Sequence, residues 1–202
     1  MRFSQTAESM PCLRTFFKKS RGVVWSRAVV LLALAAMLAL PAALHAQSAK
    51  QREYEIKAAY LYNFIRYIDW PPDTLPPAGG KIVIGIVGDN PFGAAIDPLN
   101  GKQIKGCTLA VKQIVDTKDL EECQILFICA SEKLRLQEIF GELKESKALT
   151  VGEIDGFASK GGIINFIYER NRVRFEINPD TAKRAGLIVS SELLKLARLV
   201  KS

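Results

Sequence analysis

Apolar residues along this chain change their spacing several times, and each change marks an element. From Tyr54 they fall at Tyr54, Ala58, Leu61, Ile65 and Ile68, in steps of three and four. This predicts an amphipathic helix that Pro71-Pro72 stops, with a polar, frayed stretch (47–52) before it. Lys81 to Gly88 is then a continuous apolar run, the pattern of a strand buried on both faces. Asp89-Asn90-Pro91 supplies a cap and a proline for a short helix towards Leu99. Cys107 to Val115 alternates and predicts a more exposed strand, and Asp119 is placed to cap a single helical turn. Gln124–Cys129 is a second buried strand. Ser131 is placed to cap a helix whose apolar positions are Leu134, Leu136, Ile139, Phe140 and Leu143, and Ala148–Val151 is another strand. Beyond a glycine-rich loop the period shortens. Ile163–Tyr168 and Val173–Ile177 read as a hairpin around Glu169–Arg172. Asn178-Pro179 opens a helix that Gly186 stops, and Ser190 or Ser191 caps a last helix, Glu192 to Val200.

Strands alternating with helices, then a late hairpin, predict an α/β fold. It is a three-layer sandwich around a mainly parallel sheet, with an antiparallel C-terminal hairpin.

One apolar run does not belong to this domain. Residues 28–40 follow a basic leader (Arg14, Lys18, Lys19, Arg21, Arg27) and precede Pro41 and a small residue, Ala46. Their 13 residues fall short of the ~20 that span a bilayer. The order is that of a cleaved secretory signal peptide over residues 1–46, with an uncleaved anchor as the competing reading. Residues 47–202 then form a single domain in the periplasm.

Export changes the charge picture. The leader holds six of the 28 basic residues and one of the 21 acidic ones, leaving 22 against 20, a net charge of +2. The basic balance therefore implies no nucleic-acid partner. The only histidine, His45, also leaves with the leader, which removes Ser-His and Cys-His nucleophile pairs and His-ligated zinc. No catalytic constellation remains, and no cofactor or metal is implied. Gly85-x-x-Gly88 lacks dinucleotide-fingerprint spacing, and Gly101-x-x-x-x-Gly106 is followed by Cys107 where a phosphate loop needs Lys. Of the three remaining cysteines, Cys107 and Cys123 are the plausible disulfide pair, unless a full strand lies between them.

Two sets of residues are candidates for binding. Asp89, Asn90, Ser131 and Glu153 stand at carboxyl ends of parallel strands, where open α/β sheets bind ligands; capping is the simpler role for Asp89 and Ser131. Tyr62 and Trp70, on a helix too aromatic to bury every ring, and Arg170, Arg172 and Arg174 around the hairpin tip, are candidate partner contacts.

Several stretches resemble one family. They are Lys57–Phe64 with Asp69-Trp70-Pro71, Ile86–Gly93, Cys123–Ile128, Gly161–Phe166, Arg174–Asn178 and Ser190–Ala197. Together with the leader, their order is similar to the YfiR-like family of small periplasmic proteins. The resemblance implies an α/β sandwich and a non-enzymatic regulator that restrains the periplasmic part of an inner-membrane signalling protein, a diguanylate cyclase. It also implies relief by an outer-membrane-associated partner; a homodimer stays open. A small-ligand binding protein is the alternative. Of four cysteine positions in the best-understood relative, only Cys123 is matched here. The others fall on Gly85, Ala158 and Asn165, which puts redox control through those bridges in doubt.

Overall fold

The computed structural model describes residues 48–72 and 74–201. The signal-peptide reading falls on residues outside these. Helix α1 occupies residues 48–67, so the polar stretch expected to fray is already helical from residue 48. Its inner stripe (Tyr54, Ala58, Leu61, Phe64, Ile65) is buried. The chain leaves it through a two-residue strand, β1 (Ile68–Asp69).

The central sheet is built from β2 (Lys81–Val87), β3 (Gln103–Ile104), β4 (Cys107–Ile114), β5 (Ile125–Ile128), β6 (Leu149–Gly152), β7 (Ile164–Glu169), β8 (Arg172–Ile177) and a late β10 (Arg198–Leu199). Their order is β10-β8-β7-β6-β5-β2-β4-β3. β4, β2, β5, β6 and β7 run parallel, and the hairpin β7–β8 and the short edge β3 are antiparallel. β9 (Ile188–Val189) pairs apart from this sheet, antiparallel to β1. The mainly parallel α/β sandwich with its C-terminal hairpin is therefore present.

Two apolar layers flank the sheet. Ile125 and Phe127 of β5 face the larger one, with α1, Ile82, Ile84, Ile86, Phe166 and Phe175. Leu126 and Ile128, alternating with them, face the smaller one with α2 (Leu136–Glu142) and Phe157. In the larger layer Phe64 packs edge-on to Phe175, ring centroids 5.4 Å apart, and stacks on Phe166 at 5.8 Å. Burying a phenylalanine contributes about 1.5–3 kcal/mol, and such pairs add about 0.5–1.5 kcal/mol.

Local details depart from the sequence pattern. The crossover after β2 is two 3-10 turns, Gly93–Ala95 and Asp97–Leu99, with no cap from Asp89. Asp116, not Asp119, caps the turn Thr117–Glu122 by accepting from the Lys118 N–H. Ser131 lies inside a 3-10 turn, Ala130–Leu134, and caps nothing; Leu134 is 96 % exposed. Two expected caps hold: Asn178 on α3 (Pro179–Arg184) and Ser190 on α4 (Ser191–Leu196). The last helix ends at Leu196, because the next residues join the sheet as β10.

Cys107, Cys123 and Cys129 are free, buried thiols. The expected Cys107–Cys123 bridge is not made. β2 lies between β4 and β5, so two strand spacings, about 9.5 Å, separate the lines that carry them. Cys107 also packs in the larger apolar layer and Cys123 in the smaller.

Candidate functional site

From β2 the chain crosses to β4 on one side and then to β5 on the other. The carboxyl ends of β2 and β5 therefore flank the switch point, where this kind of sheet leaves a crevice. Gly88 closes β2 at φ 91°, and a Cβ there would collide with Ser131. The Ser131 hydroxyl accepts from the Asp89 N–H at 2.9 Å and so ties the two strand ends together. The Asn90 side chain turns back to accept from the Phe92 N–H at 2.9 Å, an Asx turn. Asp89 and Asn90 are exposed.

Glu153, just past β6, has a different environment. Its carboxylate lies 2.7 Å from the Lys57 ammonium and accepts from the Tyr54 hydroxyl at 3.2 Å. Lys57 is 5 % exposed and also meets Glu53 at 2.6 Å, one turn earlier on α1. The ammonium lies 4.4 Å from the Tyr54 ring centroid. Burial first, then the Glu153 charge, hold the Tyr54 hydroxyl well above its usual range. Glu53, Tyr54, Lys57 and Glu153 line a cleft of about 580 Å3 with Phe166 and Tyr168. Asp89, Asn90 and Ser131 do not line it. Burial first, and then Glu153, Glu132 and Asp89, push the Cys129 thiol up to about 12. Among the described residues no group of three or more His, Cys, Asp or Glu could hold a metal ion.

The candidate partner contacts are dispersed. Trp70 is a correction: at 9 % exposure it belongs to the larger core, with its indole N–H unpartnered and the Lys105 ammonium 5.5 Å from its ring. Tyr62 is half-buried, 4.8 Å under the Lys102 ammonium, with its hydroxyl 3.4 Å from the Gln103 carbonyl it donates to. Arg170, Arg172 and Arg174 are all exposed. The hairpin gathers them because Arg172 and Arg174 alternate onto one sheet face and Arg170 sits in the two-residue turn.

Sequence reasoning missed Lys57 and Arg198. Lys57 carried a readable signal, a charge next to Ala58 inside the apolar stripe of α1. Arg198 carried none, since its role depends on β10 lying against β8.

A family model described as YfiR/HmsC-like matches residues 54–198. Among solved structures, the ABC domain in complex with L-Trp from Streptococcus pneumonia aligns at 11 % identity and TM-score 0.44, over 59 % of this chain and 55 % of that one. A conserved domain protein from Vibrio cholerae O1 biovar eltor aligns at 10 % identity and TM-score 0.49, over 74 % of this chain and 60 % of that one. The chain thus spans little more than half of either structure, and neither likeness carries an argument. No helix among the described residues is long and apolar enough to cross a membrane.

Proposed function

This chain belongs to the YfiR/HmsC-like family, and from that premise we propose that it is a periplasmic, non-enzymatic regulator acting by contact. Its partner is the periplasmic part of an inner-membrane signalling protein, a diguanylate cyclase, which it restrains. An outer-membrane-associated protein would relieve the restraint. The observation that carries this reading is the family match across residues 54–198, nearly all of the domain. The exposed Arg170, Arg172 and Arg174, with Tyr62 beside Lys102, are the proposed contacts; the burial of Trp70 removes it from that set.

The test is intracellular cyclic-di-GMP in the native host with and without the gene, complemented by the full chain or by one lacking residues 1–46. A rise on deletion, reversed only by the full chain, is expected. No change on deletion would overturn regulation of a cyclase.

The cleft beside Glu153 favours one second reading, a small-ligand binding protein. Its volume of about 580 Å3 and the Tyr54, Phe166 and Tyr168 side chains suit a ligand of metabolite size. A thermal-shift screen of the purified protein against metabolites would show one saturable hit, lost in Glu153→Ala. A screen without a hit would remove this reading.

A further inference from the structure

The hairpin β7–β8 outruns both of its neighbours. β6 pairs with only Ile164 and Asn165, and β10 with only Glu176 and Ile177. Residues 166–175 therefore form a projecting two-stranded arm, anchored where Phe166 and Phe175 pack on Phe64. In a strand, a residue's N–H and C=O point to the same side, and sides alternate. The Ile177 carbonyl accepts from Val200, on the side away from β7. By alternation, Val173 turns both of its main-chain groups to that same side, where among the described residues no strand of this sheet lies opposite it. An open edge of this kind is a template for an added strand.

The side chains along this edge define what can join it. Arg172 and Arg174 flank Val173, and Arg170 stands at the tip. No ion pair holds any of the three among the described residues, although Glu169 of β7 and Glu176 of β8 share their hairpin. Both carboxylates are engaged by Arg198, which lies 2.7 Å from Glu169 and bonds Glu176 as well. Arg198 thereby leaves the arm's arginines without an internal counter-charge. The turn itself holds Arg170 at φ 50° and Asn171 at φ 62°, a left-handed conformation that costs a long side chain about 1–2 kcal/mol. Strain of this sort gathers where a side chain is needed for contact.

A second copy of this chain is a poor occupant. Antiparallel pairing centred on Val173 would set Arg172 of each copy opposite Arg174 of the other, and directly opposed like charges destabilise a strand pair. We propose that the edge of β8 at Arg172–Arg174 receives an extended acidic segment of a partner protein as an added strand. Its carboxylates lie beside Arg172 and Arg174, and its alternate, apolar residues lie beside Val173 on the core side. This rests on the contact reading above and names the chemistry of the partner.

The test uses the purified protein and short fluorescent peptides followed by anisotropy. One peptide alternates glutamate with valine, and a second replaces every glutamate by lysine. Two more carry N-methyl groups on the odd or the even residues of the first. The acidic peptide should bind saturably and the lysine peptide about tenfold or more weakly. Only one N-methylated form should lose about tenfold, because only one set of N–H groups faces β8. Replacing Arg172→Glu and Arg174→Glu together should reverse the preference, with circular dichroism checking the fold. Equal binding of all four peptides, no binding of the acidic one, or no effect of either methylation pattern would overturn strand addition. If cyclic-di-GMP still rose on gene deletion, that failure would leave the regulatory role standing.

Discussion

Lys57 shows how one residue can be conspicuous in the sequence and still be passed over. A lysine within an apolar helical stripe must either reach water or find a partner, and here Glu53 and Glu153 supply the partners. The stripe was legible; the identity of the partner was not, because Glu153 arrives from the end of a strand 96 residues away. Removing one partner leaves a buried charge. With Glu53 still paired to Lys57, Glu153→Ala should cost about 1–3 kcal/mol in urea unfolding, and Lys57→Met with Glu153→Leu less than the sum of the single changes. Gly85 gives a second residue-level expectation. A Cβ at that position would lie 2.7 Å from the Cys123 sulfur. Gly85→Cys should bridge to Cys123 on oxidation, leaving two fewer free thiols than cysteines when the denatured protein is titrated. The expected Cys107–Cys123 pair failed for want of strand order. Spacing along a sequence says nothing about which strand is inserted between two others.

At the scale of elements, the buried strands were the most legible features. β2 and β5 read as unbroken apolar runs because both of their faces are covered. Caps were legible at Asn178 and Ser190, each directly before its helix. They were misleading at Ser131, whose hydroxyl serves a neighbouring strand end instead. β10 was invisible. Leu199 continues the periodicity of α4, and only pairing with β8 makes residues 198–199 a strand. Two predictions belong here. Ser190→Ala should cost about 1 kcal/mol, read as a lower urea midpoint, since its hydroxyl accepts from the Leu193 N–H. Replacing Arg170-Asn171 by Asn-Gly should raise stability by about 1 kcal/mol, measured the same way, because that pair suits a turn with both φ values positive. The same change should weaken acidic-peptide binding.

For the molecule as a whole, the α/β sandwich was readable from the alternation of elements, and the single edge-to-edge order was not. The whole molecule also has a defined response to base. Burial pushes the Cys123 thiol up to about 11 and the Cys129 thiol up to about 12, and raises the Tyr54 hydroxyl. Folding thus favours the protonated forms. The stability they contribute is complete below the ordinary thiol range and is lost as pH rises from about 9 towards 12. Urea midpoints should be level from pH 7 to 8 and fall steeply by pH 10. A Cys129→Ala variant should fall less steeply.

The pairing of Phe64 with Phe166 and Phe175 has a consequence in time as well as in energy. The first helix waits for its principal partners until a hairpin more than a hundred residues later has been made. Each emerging chain therefore passes most of its synthesis with that aromatic face uncovered. Contacts so distant along the chain slow the final collapse. For the periplasmic location proposed above, such lateness would be useful, since a chain that cannot close early stays threadable.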